Sequence, residues 1–315
     1  MMDLLLSFGL LVVGFVLLIK GADVFVEGSS SVASRFHIPS IIIGLTIVAM
    51  GTSLPECAVS VTASLTGNNA LAVSNVVGSN IFNLMVVCGA SALFVPLTVS
   101  YDTLKKEFPF SIFCAVLLAV LGFTGMVLGR IDGIIFLIIF AFYIIYMIIS
   151  AKKAIDSYED ESEDIQLMPI WQSIVFIVGG AIAIKYGGDF VVNSASFIAS
   201  TFGMSQNLIG LTIVALGTSL PELVTSMVAA KKGEVDMALG NVIGSNVFNI
   251  LFVLGVAGAI SPITFIMENL IDIAILTVFS LIVLYFGLTK SQIEKKEGII
   301  MLLLYAIYLV YIIMR

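Results

Sequence analysis

Gly44-Leu-Thr-Ile-Val-Ala-Met-Gly-Thr-Ser-Leu-Pro-Glu56 returns 166 residues later as Gly210-Leu-Thr-Ile-Val-Ala-Leu-Gly-Thr-Ser-Leu-Pro-Glu222, with Met50 against Leu216 the single difference. Chance similarity of two apolar helices does not produce such a match. The same offset maps the first half of the chain onto the second without a gap from Asp23 (Asp189) to Pro96 (Pro262), so one ancestral unit is used twice.

The rest of the chain is almost all apolar. Its 315 residues are 60% hydrophobic and 11% charged, with a mean hydropathy of +1.16, whereas a soluble domain carries about 25% charged residues. A membrane helix needs about 20 apolar residues. Ten candidate spans satisfy that need: 4–22, 39–64, 71–96, 109–128, 132–151, 169–188, 206–230, 237–261, 270–288 and 298–314. The opening Met-Met-Asp-Leu-Leu-Leu lacks the basic region and cleavage site of a signal peptide, so the first span is expected to remain as a helix.

The expected fold is therefore an all-α polytopic membrane protein of ten transmembrane helices. It divides into a first five-helix repeat (1–151), an acidic linker (152–168) and a second five-helix repeat (169–315). Five is odd, so the second unit enters the membrane from the opposite side and the repeats are inverted. Charge gives an independent check. The side of the termini carries Arg130 and Arg315; the other carries Arg35, Lys105, Lys106, Lys152, Lys153, Lys231, Lys232, Lys290, Lys295 and Lys296. The positive-inside rule then places both termini outside the cell membrane and the linker in the cytoplasm. Lys20 and Lys185, near span ends, are set aside because they can snorkel. Trp171 is expected to anchor the sixth span at the interface. The net charge of −7 comes largely from Asp156, Glu159, Asp160, Glu161, Glu163 and Asp164 in the linker, which is read as a solvated segment in preference to a regulatory cation site.

Inverted repeats with interrupted helices are a secondary-transporter architecture with the substrate site near the bilayer midplane. Pro55 has no N–H for the carbonyl of Gly51, and Pro221 none for that of Gly217, so each helix is expected to kink or open just before its glutamate. Freed carbonyls persist in lipid only where protein, water or an ion satisfies them.

A carboxylate at mid-span costs about 2.5–3.5 kcal/mol on insertion scales. Glu56 and Glu222, at matching positions of inverted repeats, are expected to face each other and supply two charges, enough to neutralise one divalent cation. Thr52 and Ser53 precede Glu56 by four and three residues, on one helical face, and Thr218 and Ser219 precede Glu222 likewise. Asn75, Ser79 and Asn83 recur every four residues, as do Asn241, Ser245 and Asn249. Oxygen donors without His or Cys describe a site for calcium or sodium and not for zinc or copper, and calcium tolerates irregular coordination that magnesium does not.

Blander readings compete. Gly78 and Gly244 are better read as permitting close helix packing, whereas Ser79 and Ser245 fit ligation. Asn80 and Asn246, one residue off the stripe, are expected to bond between helices. Cys57, Cys88 and Cys114 read as small core residues, and His37, whose repeat partner is Gly203, has no assigned role.

The two Gly-Thr-Ser-Leu-Pro-Glu motifs, with Asn75-Val-Val-Gly-Ser-Asn-Ile-Phe-Asn83 and Asn241-Val-Ile-Gly-Ser-Asn-Val-Phe-Asn249, resemble the alpha-repeats of the calcium/cation antiporter superfamily in its sodium/calcium exchanger branch, in the prokaryotic form without a regulatory loop. The resemblance implies a core of the second, third, seventh and eighth helices, across which a long tilted pair, the first and sixth, slides. It implies calcium on Glu56, Glu222 and the carbonyls of Thr52 and Thr218. Sodium would be held by the same glutamates, the carbonyls of Ala49 and Ala215, and the side chains of Thr52, Thr218, Ser79 and Ser245. Ser53, Ser219, Asn83 and Asn249 would line the centre. Shared ligands would make the two ions compete, at about three sodium ions per calcium in the family pattern.

Potassium-dependent relatives carry Asp at the position of Asn249, and proton-coupled ones Gly-Asn-x-x-Glu in place of the glutamate motif; this chain departs from both. Only about 17 residues separate the fifth and sixth spans, too few for the 50 or more of a typical domain. The alternatives are a proton-coupled or potassium-dependent calcium antiporter and, in a different class, a passive cation channel. No enzymatic motif is present, and no cofactor or nucleic acid is expected. The expected partners are calcium and sodium ions and the lipid bilayer, and the expected unit is a monomer.

Overall fold

A computed structural model of the chain describes residues 2–66, 70–156, 168–204, 213 and 215–314. The described residues form helices joined by tight connections. Helix α1 spans Met2–Arg35; a bent pair follows, α2 (Ser40–Thr52) and α3 (Leu54–Leu65). Then come α4 (Leu71–Phe94), α5 (Thr103–Phe123) and α6 (Arg130–Asp156). The second half holds α7 (Ile170–Thr201), the short α8 (Ala215–Gly217), α9 (Leu220–Lys231), α10 (Val235–Ile260), α11 (Met267–Lys290) and α12 (Lys295–Met314). Among the described residues eight helices are long and apolar enough to cross a membrane, or nine with α2 and α3 as one broken span. The span expected at 206–230 begins in residues outside those described.

Two expected spans stop too early. Helices α1 and α7 contain 34 and 32 residues, about 50 Å each at 1.5 Å per residue, and run well past the predicted ends at 22 and 188. Hydropathy reports where the chain meets lipid, and the continuation of each helix carries polar residues that have partners. Asp23 and Glu27 meet Lys232, the residue after α9, at 2.7 and 3.5 Å, and Asp189 meets Lys185 at 2.7 Å. The two helices lie along each other with glycines at the contact: a Cβ on Gly14 would come within 2.9 Å of the Gly187 carbonyl, and one on Gly180 within 2.8 Å of that of Gly21. Backbones this close are the usual way membrane helices associate without a hydrophobic drive. Helix α6 runs to Asp156, five residues into the expected linker; Glu159, Asp160, Glu161, Glu163 and Asp164 lie outside the described residues.

The centre of the molecule is α4 and α10, in each of which 78% of the most apolar window is buried, against 17–33% for the other spans. Leu6, Phe142 and Ile307 are among the large apolar side chains exposed on the outer helices, as a lipid solvent requires. The halves interlock. Strand β1 (Leu97–Thr98) after α4 pairs antiparallel with β4 (Gln292–Ile293), and β2 (Val127–Leu128) pairs with β3 (Ile263–Thr264) after α10, in registers Leu97↔Ile293 and Leu128↔Ile263. The last turns of α4 pack on α12, and those of α10 pack on α6. Each half completes the other, so the repeats are not independent domains. His37 (φ 52) and its counterpart Gly203 (φ +89) both take the left-handed conformation that ends the long helix, which identifies His37 as a turn residue. Cys57 is half-buried, Cys88 and Cys114 are buried, and all three are free thiols.

Candidate functional site

The expected interruptions are present. The first helix breaks at Ser53 (φ −84, ψ 10), with a 50° bend between α2 and α3, and Ser219 (φ −95, ψ 7) precedes α9. Pro55 and Pro221 sit in the first turn of the new helix, where the missing N–H belongs to a group with no helical partner in any case. Glu56 and Glu222 fall in that same first turn, where the positive end of the helix dipole favours a carboxylate.

Ser53-Leu-Pro-Glu56 has the spacing of a capping box, in which serine and glutamate satisfy each other's backbone. The molecule does something else. Neither Ser53 nor Ser219 caps its own helix through its side chain, a substitution that forgoes about 1 kcal/mol of capping. Ser53 Oγ instead donates to Glu222 Oε1 at 2.7 Å, and Ser219 Oγ donates to Glu56 Oε1 at 2.9 Å. The serines expected to share a face with their own glutamates thus serve the glutamate of the opposite half, because the break at Ser53 interrupts the helical spacing. The crossed bonds bring the carboxylates close enough for their charges to interact.

Thr52, Ser53, Glu56, Asn83, Ser219, Glu222, Ser245 and Asn249 are fully buried, and Ser79 is 2% exposed. Thr218 is half-buried, and Ala215 opens α8. Thr52 Oγ1 lies 3.1 Å from the Val48 carbonyl, 3.3 Å from that of Ala49 and 3.0 Å from Asn241 Oδ1. The Ala49 carbonyl also accepts the Ser53 N–H at 3.0 Å, and Ser245 Oγ stands 3.5 Å from it. Asn75 and Asn241 are braces: Asn75 Nδ2 reaches Ser60 Oγ (3.0 Å) and the Glu56 carbonyl (3.4 Å), and Asn241 Nδ2 reaches Ser226 Oγ (2.9 Å) and the Glu222 carbonyl (3.4 Å). Asn80 and Asn246 bond between helices as expected, each Nδ2 donating to the other's backbone carbonyl at 3.1 and 3.3 Å.

Five buried oxygens in this cluster have no hydrogen-bond partner among the described residues: Glu56 Oε2, Glu222 Oε2, Ser79 Oγ, Asn83 Oδ1 and Asn249 Oδ1. A buried polar atom without a partner costs about 1–3 kcal/mol, more when charged, so a set of them suits water or a cation that oxygen atoms coordinate. Among the described residues the carboxylates are its only ionisable members, and no three of His, Cys, Asp and Glu gather as a metal cluster.

Sequence reasoning did not anticipate the backbone at Asn83 and Asn249. A π turn begins at each, over Asn83–Val87 and Asn249–Val253, and another covers Gly44–Val48. Such turns gather at functional sites and re-aim the side chains they carry. The packing reading of the glycines fits Gly244, whose added Cβ would stand 2.6 Å from the Leu45 carbonyl; for Gly78 the repeat counterpart of that contact, Leu211, lies outside the described residues.

Apolar spanning helices around a buried two-carboxylate oxygen cluster at helix breaks define a multi-pass membrane protein that handles hard cations. The family model for sodium/calcium exchanger proteins matches residues 6–149 and 172–314, and the chain belongs to that family of cation antiporters. CaxA of Alkalimonas amylolytica is 47% identical over 79% of each chain. The sodium/calcium exchanger MaX1 of Methanosarcina acetivorans is 31% identical over 96% of this chain and 97% of its own. A solved structure of the sodium-calcium exchanger NCX_Mj, soaked with sodium and strontium, matches with a TM-score of 0.85 at 33% identity, covering 98% of this chain and 99% of that one.

Proposed function

We propose that this protein exchanges sodium for calcium across the cell membrane by alternating access, with calcium held between Glu56 and Glu222. The observation that carries the reading is the crossed carboxylate pair with its five unpartnered oxygens. Two buried negative charges repel, and a divalent cation cancels both at once. The carbonyls of Thr52 and Thr218 complete the calcium shell. Sodium uses the same glutamates with Ala49, Thr52, Ser79, Ala215, Thr218 and Ser245, and Ser53, Asn83, Ser219 and Asn249 line the space between. Neither ion finds a full shell while the other is bound, and that exclusion couples their movements.

The proposed frame is ten helices in two inverted five-helix repeats, 1–151 and 169–315, with both termini outside and the 152–168 linker in the cytoplasm. Every proposed ligand comes from one chain, so a monomer suffices. The neutral Asn249 favours independence from potassium, and the Gly-Thr-Ser-Leu-Pro-Glu motifs favour sodium over protons.

The proposed coupling is about three sodium ions per calcium, with one net charge moved. A tenfold sodium gradient supplies about 1.4 kcal/mol per ion, and one charge crossing 100 mV about 2.3 kcal/mol. Together these sustain a calcium ratio on the order of 10⁴ to 10⁵, where electroneutral exchange sustains about 10². Calcium-45 uptake into proteoliposomes tests the proposal. An outward sodium gradient is expected to drive uptake, faster with a positive interior under valinomycin clamp, because each turnover brings in two charges and releases three. Equal uptake from a proton or potassium gradient without sodium defeats the assigned coupling ion, and indifference to voltage defeats the three-to-one ratio.

A further inference from the structure

We infer that Asn80 and Asn246, outside the proposed ligand set, are positioning residues that force Asn83 and Asn249 to present oxygen and not nitrogen to the ion. The inference rests on the proposed exchanger reading and adds to it how the neutral part of the site is made selective for cations.

The argument needs only the chemistry of an amide. A backbone carbonyl accepts and never donates, so the atom of Asn80 that lies 3.1 Å from the Asn246 carbonyl is its Nδ2. The other end of that side chain is then Oδ1, which can only accept. Asn249 approaches this oxygen at 3.1 Å and must do so with its own Nδ2. The remaining end of Asn249 is fixed as Oδ1, fully buried and without a partner among the described residues. The same chain of necessity runs in the other half. Asn246 Nδ2 is committed to the Asn80 carbonyl at 3.3 Å, Asn246 Oδ1 takes Asn83 Nδ2 at 3.4 Å, and Asn83 Oδ1 is left buried and unpartnered among the described residues. Four amides therefore form a closed relay across the halves, anchored at two backbone carbonyls.

An asparagine can turn its amide over at almost no cost in shape, and a turned amide would offer N–H groups to a cation. Turning Asn249 here would set its oxygen against Asn80 Oδ1, and Asn80 cannot turn in response without losing the Asn246 carbonyl. The relay thus does for a neutral side chain what charge does for a glutamate. An aspartate at 249 would carry oxygen at both ends and need no aiming.

That difference supplies the test, read as calcium-45 equilibrium binding to the purified, detergent-solubilised protein. Asn80→Ala frees Asn249 to turn and is expected to weaken calcium binding about tenfold, as loss of a partner behind a metal ligand typically does. In an Asn249→Asp background the same Asn80→Ala change is expected to alter affinity by less than about twofold, because nothing remains to be aimed. Asn246→Ala, which frees Asn83 in the same way, is expected to weaken binding by a similar factor, and it serves where the Asn80 variant fails to fold. Equal losses from Asn80→Ala in both backgrounds, or no loss in Asn80→Ala or Asn246→Ala, overturns the relay. Wild-type protein that binds no calcium overturns the exchanger reading instead.

Discussion

The two halves of the molecule agree at the centre and part company a turn or two away. At the centre the hydrogen bonds come in matched pairs: Ser53 to Glu222 and Ser219 to Glu56, Asn75 and Asn241 bracing the carbonyls of Glu56 and Glu222, and the reciprocal Asn80–Asn246 contact. Farther out the equivalence ends. Lys232 bridges α9 to Asp23 and Glu27 of α1; its repeat partner is Thr66, and that of Glu27 is Asn193. Ser30 and Ser40 both donate to Glu234 on the same side, the latter at 2.8 Å. In the proposed site a cation would take one charge from each half, which would keep the centre alike. A transporter open to one side at a time must hold its halves differently in any single state, and the packing away from the site has that unevenness.

The strongest way to break the comparison is at the carboxylates. Glu56→Gln and Glu222→Gln each leave one charge facing a divalent ion, a loss of about 3–5 kcal/mol and roughly 10²–10⁴ in calcium affinity. Both variants are expected to purify folded and to abolish uptake. Wild-type exchange in either removes that glutamate from the site.

Ser53→Ala and Ser219→Ala come next, since each deletes one crossed bond to a carboxylate. A weakening of calcium binding by about tenfold is expected for both, from about 1.5 kcal/mol per charge-assisted bond. The matched geometry requires the two losses to be similar, and a silent Ser219→Ala beside a damaging Ser53→Ala would show that the halves contribute unequally.

Away from the site the expected outcomes diverge. Gly244→Ala forces a methyl toward a backbone carbonyl 2.6 Å away, so a loss of about 1–3 kcal/mol in stability is expected. Thermal unfolding in detergent checks it, and melting at the wild-type temperature removes this close contact from the account. The smallest effect belongs to Lys232→Gln. Its pairs with Asp23 and Glu27 are partly exposed, so about 0–1 kcal/mol is expected, fading in high salt.

Most of the centre was legible in the sequence because its causes are local or repeated. Pro55 and Pro221 dictate a break wherever they occur, a buried glutamate announces itself by its cost in lipid, and the repeat supplies its partner. The inter-helix role of Asn80 and Asn246 followed from their place one step off the polar stripe. What stayed hidden depends on which half faces which. The step from Ser53 to Glu222 crosses between repeats, and nothing in Ser-Leu-Pro-Glu distinguishes it from an ordinary capping box. The π turns at Asn83 and Asn249 have no marker residue. The lengths of α1 and α7 were underestimated because Asp23 and Glu27 read as the end of an apolar run, although Lys232 at the end of another helix supplies their partner.

The most direct test of the account is competition at equilibrium on purified protein. Calcium-45 binding measured against sodium is expected to saturate at about one calcium per chain, by charge balance with two carboxylates. Sodium should displace it with a Hill slope well above one, and potassium at the same ionic strength should not. Calcium and sodium binding independently of one another would contradict a shared site between Glu56 and Glu222, and with it the proposed basis of exchange.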